Sequence, residues 1–443
     1  VAVHGARAFP VVQDEAKHTF IAAGEFLQGR MVVFGHEAWL KPNLLDDTND
    51  DSGRLVRNAA RWVAQKSDPT IGYSPAMAGV ASHLEADGLA TVAASPSNLA
   101  GVDVFCMEAN AGYDDDAMAL IQQFLMQGGG IIAGGQAWWW SYSNENAPVN
   151  YPGNWLANGA GLTWTAMPNV ATGAHPVSPT PLPPVAHGLL ALESIEAHLA
   201  GTLPLALDEQ QWARASIQDT LNGLRPALVE DFPDYLARAT EVSALIGSVI
   251  PTEAAPVVLA DHPLDAIAVQ VENVRALILP AEAITALPAA SDFPGSTGVD
   301  AETVNRTVSF TADYTGPSLK YFAAGAGSPL WVSTGLYAPP GALIEVTIPD
   351  YAAGKGLEVL IGAHDDRLWN KDEWRRYPEI ARVYELNEQI TSAANAFGGL
   401  VYLRVPRGTQ LGPISAMING AVLSPRFVYG ETTPAEWADT IRH

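Results

Sequence analysis

Apolar and polar positions follow two rhythms along this chain, and the change between them divides it. From residue 18 to about 140, short apolar runs alternate with stretches of helical spacing. Residues 18–36 (HTFIAAGEFLQGRMVVFGH) predict two strands around a glycine-containing turn, with residues 31–34 as a buried strand. Helices are expected over 53–66, where Leu55, Val56, Ala59, Trp62 and Val63 share one face, and over 115–126. Further buried strands are expected over 102–106 and 131–133. Strands alternating with amphipathic helices predict a doubly wound parallel sheet.

The pattern then loosens. Residues 143–186 carry eight prolines among scattered Gly and Asn, which predicts a long irregular surface connection. Helices are expected over 188–200, 208–221 and 234–246, the second with Trp212, Ala215, Ile217 and Leu221 on its apolar side. Residues 257–260, 267–271 and 276–279 look strand-like and suggest a further α/β-like piece. Beyond residue 292 the period becomes two. Residues 343–348 and 357–361 are apolar and β-branched and 400–405 alternates, with Pro339, Pro340, Gly341, Gly354 and Gly356 between them. The expected fold class is therefore multidomain α/β plus β. Its parts are a hairpin with a doubly wound domain over 1–142, the Pro-rich connection over 143–186, a helical and α/β middle segment over 187–291, and an all-β module over 292–443.

Composition narrows the function classes. An apolar content of 48% over 443 residues is ample for real cores. Lys and Arg number 24 against 48 Asp and Glu, and the net charge of −24 argues against nucleic acid or an anionic membrane surface as partner. No apolar run is long enough for a membrane span. The single cysteine, Cys106, permits no intrachain disulfide, which a chain of this length does not need even outside the cell. The opening VAVHGARAFP is not a signal peptide, so export implies a signal already removed.

Four clusters carry candidate chemistry. Asp46, Asp47, Asn49, Asp50 and Asp51 suggest calcium, but no register supplies an EF-hand ligand set, and a solvated loop favouring the next helix N-terminus fits better. Trp138, Trp139 and Trp140 are expected to end a strand at the carboxyl edge of the sheet, either packed or open as a ligand-stacking surface. Cys106, with His36 and Glu37 in reach, has the makings of a nucleophile or is an inert core thiol. In the β module, Trp369, Trp374 and Tyr377 interleave with Arg367, Lys371, Arg375 and Arg376 just after His364, Asp365 and Asp366. As a glycan platform the expected contacts are Trp369, Trp374, Tyr377, Arg375, His364 and Asp366; otherwise the rings anchor a loop and the charges face solvent.

The segments 334–341 (TGLYAPPG), 362–366 (GAHDD), 368–380 (LWNKDEWRRYPEI) and 397–402 (FGGLVY) resemble, in that order, the enhancin-like, mucin-targeting zinc metallopeptidases of family sixty, the O-glycopeptidase or immunomodulating metalloprotease type. That resemblance implies a β-sandwich followed by a catalytic subdomain in which a helical H-E-x-x-H and a downstream Glu bind zinc. None of the ten histidines here stands four residues from another, so the motif is absent. The stretch PRFVYGETTPAEWADTIRH resembles the family's passage into the catalytic part. Residues 33–40 (VFGHEAWL) and 128–140 (GGGIIAGGQAWWW) resemble the glutamine-amidotransferase-like front domain of the TRP-channel-associated-factor branch, with Gly134, Gly135 and Gln136 where a nucleophilic Cys would be expected.

These resemblances imply a non-catalytic front region of a secreted or cell-surface zinc peptidase that cleaves O-glycosylated, mucin-like proteins. It would serve as scaffold and glycan- or substrate-binding module, with no metal in this chain, zinc in a following catalytic part, and O-glycoproteins and that catalytic part as partners. The alternative is a non-peptidase interaction protein of the channel-associated-factor type. A third reading is an amidotransferase-type enzyme using Cys106.

Overall fold

The computed structural model describes the chain apart from residues 16, 48, 145–146, 167–174, 176, 178–181, 299, 317–328 and 441–443. Two compact units emerge: one of Val1–Gly247 with Pro263–Val271, the other of Ser248–His262 with Glu272–His443.

The first unit is built on a seven-stranded sheet. Its strands are β1 (Ala8–Gln13), β2 (Thr19–Phe26), β3 (Gly29–Phe34), β4 (Thr70–Tyr73), β5 (Ala90–Ala93), β6 (Val104–Glu108) and β7 (Gly130–Gly134), in the spatial order β1-β2-β3-β7-β6-β4-β5. The hairpin strands β1 to β3 are antiparallel, while β3, β7, β6, β4 and β5 are mutually parallel. Successive residues of a strand face opposite sides. Met31, Val33, Phe105, Met107, Ile131 and Ala133 accordingly enter one core, with Met118, Ile121 and Leu125 of α3 (Asp115–Met126). Val32, Phe34, Val104, Cys106 and Ile132 enter the other, with Val56, Ala60 and Val63 of α1 (Ser52–Ala64) and Val80 and Leu84 of α2 (Ala78–Ala86). The chain leaves β4 through α2 on one face and β6 through α3 on the other, so the winding direction reverses between these neighbouring strands. The sheet is thus the parallel α/β sheet expected, with helices on both faces.

The helices α4 (Gly188–Leu199), α5 (Leu207–Leu224) and α6 (Pro233–Ile246) follow the sequence expectation closely. The strand-like runs at 267–271 and 276–279 do not: they lie within one helix, α7 (Pro263–Ile278). Ala266, Ile267, Ala268, Val269, Val271 and Val274 are all buried, so the helix is apolar around most of its circumference and shows no stripe to separate it from a buried strand. Pro263 at its first turn and Asp265 beside it are the start signals that periodicity overrode.

The main sheet of the second unit has eight antiparallel strands: β8 (Thr303–Tyr314), β9 (Leu330–Ala338), β10 (Ile344–Thr347), β11 (Glu358–Ile361), β12 (Arg382–Glu385), β13 (Ile390–Ala393), β14 (Gly399–Val405) and β15 (Thr409–Leu423). The expectation of a two-sheet sandwich needs correction. Hydrogen bonding is continuous in the order β12-β11-β14-β9-β15-β10-β13, with β8 also on β15, and forms one barrel-like sheet. The fifteen-residue β15 causes this, because it pairs with β8, β9 and β10 along its length. Val359, Ile361, Val401, Leu403, Ile414, Ala416 and Ile418 point into a single core.

Candidate functional site

The loop between β11 and β12 holds the aromatic and charged cluster singled out in the sequence, and the rings point inward. Trp374 lies on a short strand paired with Val257 and is 0% exposed; its Nε1 donates to the Leu368 carbonyl at 2.9 Å. Trp369 meets it edge to face at 5.8 Å and donates Nε1 to Glu379 Oε2 at 3.0 Å. Tyr377 is 2% exposed and donates its hydroxyl to the Val249 carbonyl at 3.1 Å, with Glu272 as a second partner. Burial, then the Glu272 contact, push its phenol well above the ordinary range. A sugar stacks on an open aromatic face, and Trp374 and Tyr377 have none. The structure removes both from the expected glycan platform and makes them anchors of this loop.

Most charges of the cluster face outward, Arg376 and Glu379 being largely buried, and they are largely paired. Arg375 bridges Glu373 and Glu253, each at 2.5 Å, Arg376 meets Asp366 at 2.6 Å, and Arg367 meets Glu379 at 3.3 Å. His364 is exposed, with its ring tilted on Phe293 at 4.8 Å. What stays accessible of the proposed contacts is His364, Asp366, Arg375 and half-buried Trp369. An open groove of about 560 Å³ in this unit, between residues 294–298 and the end of β15, includes none of them.

In the first unit, Trp138, Trp139 and Trp140 do not end a strand. β7 stops at Gly134, and Ala137–Trp140 form one helical turn, so helical rather than alternating geometry sets their directions. Trp139 is 59% exposed, Trp138 packs edge to face on Tyr142, and Trp140 does so on Tyr151. Gln136 follows the strand and donates its amide to both oxygens of Glu37, at 2.9 and 3.0 Å. His36 Nδ1 is engaged by the Ala38 N–H at 2.9 Å. Cys106 sits mid-strand in β6, fully buried, and burial pushes its thiol up to about 12. A thiol so placed is not ionised near neutrality and reaches neither His36 nor solvent as a nucleophile must.

Residues that the sequence did not single out complete this carboxyl edge. Ser74 follows β4, Glu108 ends β6, and Tyr113 precedes α3, so all three meet where the winding reverses, the usual ligand position in such sheets. The Tyr113 hydroxyl faces Ser74, and the Tyr151 hydroxyl lies against Gly135, where a Cβ would come within 2.0 Å of it. Ser74 and Glu108 are signalled in the sequence by position alone, at or just after a strand end.

Among the described residues, no three His, Cys, Asp or Glu converge as metal ligands, and no helix is long and apolar enough to cross a membrane.

Comparison with known proteins gives two family matches in series. Residues 1–178 match the family model described as "TRPM8, N-terminal domain", and residues 306–419 match that described as "N-terminal domain of M60-like peptidases". Bovine TRPM8 channel-associated factor 2 is 28% identical over 468 residues, covering 99% of this chain and 45% of that protein. The human protein is 28% identical over 441 residues, covering 98% and 45%. The chain thus spans about half the length of the curated relatives it matches. The solved IMPa metallopeptidase from Pseudomonas aeruginosa superposes with a TM-score of 0.48 at 15% identity, over 99% of this chain and 53% of that one. Residues 306–419 are thus similar to the N-terminal domain of M60-like peptidases, and the chain as a whole is similar to the front part of TRPM8 channel-associated factors.

Proposed function

We propose that this chain works by binding rather than by chemistry, as the front region of an exported M60-like peptidase that acts on O-glycosylated proteins. The observation that carries this reading is the match of residues 306–419 to the N-terminal domain of M60-like peptidases, in a chain without an H-E-x-x-H motif. The donor set does not fit a peptidase zinc, since no histidines are spaced to share a helix face and no ligand cluster forms among the described residues. Zinc and the hydrolytic step belong, on this reading, to a catalytic part beyond these residues, which the barrel-like unit would support and supply with substrate. Contact with glycan would fall to the open side of the 362–380 loop, at Trp369, His364, Asp366 and Arg375. Calorimetric titration with mucin-type O-glycopeptides and their free glycans tests it. Saturable binding weakened by Trp369→Ala supports the reading, and absence of binding to every glycopeptide rejects it.

A second reading is favoured by a different observation: curated relatives matched over nearly the whole chain are channel-associated factors. Here the chain would be an interaction protein without peptidase partners. Affinity capture of detergent-solubilised TRPM8 channel by the purified chain, with no glycopeptide binding, would select it.

A further inference from the structure

Arg306 occupies an inward position of β8. Val304, Val308, Phe310 and Ala312 of that strand turn to the barrel core, and Arg306 stands in the same row, half-buried. Arg426, just beyond the end of β15, is half-buried too. The two side chains meet over Gly335 of β9. A Cβ there would lie 2.7 Å from Arg426 Cδ and 3.3 Å from Arg306 Nη1, and the φ of +68° is itself one that glycine favours. Among the described residues neither guanidinium has a carboxylate or any other acceptor. Acids outnumber Lys and Arg 48 to 24 in this chain, and Arg30, Arg57, Arg238, Arg375 and Arg376 all hold carboxylates, so two converging arginines without one are an exception.

The pair stands at the end of the open groove of about 560 Å³, a volume within the usual range for small ligands, roughly 300–1,000 Å³. Three chain segments place it there: the wall residue Val304 comes two before Arg306, Tyr337 two after Gly335, and Pro425 immediately before Arg426. Ser424 donates its N–H to the Gly335 carbonyl at 3.1 Å, and its buried Oγ has no partner among the described residues, where buried polar atoms are nearly always satisfied. The other walls are mainly apolar. Leu423 is 62% exposed, and Tyr337 is fixed by its hydroxyl, which donates to the Gly295 carbonyl at 2.5 Å. Glu302, the acid among the walls, is exposed.

We infer that this end of the barrel-like unit binds a carboxylate carried on an apolar body, the carboxylate on Arg306 and Arg426 and the body in the groove. The chemistry selects that class. A guanidinium presents N–H donors in a planar fork that matches the two oxygens of a carboxylate, and partial burial strengthens the pairing. A cationic ligand would meet two positive charges. A neutral apolar one would fill the groove and leave both guanidiniums partly desolvated and unpaired. A small anion such as acetate would answer the charge and leave the apolar surface of Leu423 and Tyr337 in water. The groove includes none of the accessible residues of the 362–380 loop, and the inference does not depend on the glycan reading.

Calorimetric titration of the whole chain with 3-phenylpropionate, against its neutral amide and against acetate, tests the inference. Saturable uptake of one phenylpropionate per chain is expected, at least tenfold tighter than either comparison compound. Arg306→Gln and Arg426→Gln should each weaken it at least tenfold, and Arg426→Lys, which keeps the charge and loses the fork, should fall between the parent and Arg426→Gln. Leu423→Ser, at an exposed position, should weaken phenylpropionate through the groove alone. Arg426 lies beyond the last strand, so its variants report on the site should Arg306→Gln lose its fold. Uptake matched by the amide, uptake unchanged in Arg426→Gln with the fold intact, or no saturable uptake by the parent chain overturns the inference.

Discussion

Asn273 and Glu379 hold each other through two reciprocal hydrogen bonds. The Asn273 side-chain amide donates to the Glu379 carbonyl at 2.6 Å, and its carbonyl oxygen accepts the Glu379 N–H at 2.9 Å. Both residues are buried, so one side chain satisfies both main-chain groups of a non-helical, non-strand residue in the 362–380 loop. Asn273→Ala strands a buried donor and a buried acceptor together, and should cost about 2–4 kcal/mol. Asn273→Asp restores the acceptor only and should fall between. Thermal melts of the three proteins check this order; an alanine variant as stable as the parent would show that water reaches this loop.

Trp374 and Trp369 differ in depth, and their substitutions should differ in kind. Trp374 is wholly enclosed, and Trp374→Ala is expected to lower stability by about 3–5 kcal/mol through lost packing and the loss of its hydrogen bond to the Leu368 carbonyl. Trp369 is half-buried, so its alanine variant should stay folded and read out any ligand contact. Equal loss of stability in the two variants would contradict the inward and outward division of this loop.

How far the sequence was legible depends on where each residue finds its partner. The helix at 115–126 was fully legible because Asp114 caps it, through its side chain to the Ala117 N–H, and its apolar stripe has one period. The helix at 263–278 was not, because burial on most sides erases the stripe. The direction of Trp374 and Tyr377 was hidden for another reason: the carbonyls that receive them, at Leu368 and Val249, carry no mark in the sequence. The carboxyl edge eluded motif reading because Ser74, Glu108, Tyr113 and Tyr151 come from separate elements and no two have diagnostic spacing.

Cys106 should be silent in the native chain. With its thiol at about 12 and no exposed surface, iodoacetamide at pH 8 is expected to label it only after unfolding. The same shift has a sign for stability. The native state keeps the proton that the unfolded thiol, with an ordinary value near 9, releases, so this contribution is present below pH 9 and declines as pH rises toward 12. Cys106→Ala should flatten the alkaline limb of stability against pH, and rapid native labelling would refute the buried placement.

His4 sets an opposite limit on the acid side. Its Nε2 lies 3.0 Å from Thr163 Oγ1, whose own proton goes to Asn158 Oδ1 at 2.8 Å, so the imidazole must donate to Thr163. Burial, reinforced by the nearby His187, holds His4 down to about 4, and burial likewise lowers His187, which donates Nε2–H to the Gly5 carbonyl and accepts the Leu189 and Leu190 N–H groups at Nδ1. Protonating His187 would also cost it those two acceptor contacts. A depressed histidine is neutral in the native state while the unfolded chain takes up protons below 6.5. Its stabilisation is therefore complete above pH 6.5 and lost as pH falls toward 4, on the order of 2–3 kcal/mol for His4. His18 slopes the other way: its hydrogen bond to Asp14 raises it, so its contribution fades as pH climbs above 6.5, outside the window where His4 acts. Urea unfolding at pH 7, 5.5 and 4 should show a steep acid loss in the parent chain. His4→Gln keeps a donor for Thr163 without a titrating ring and should shallow that loss; an unchanged slope would place the acid sensitivity elsewhere.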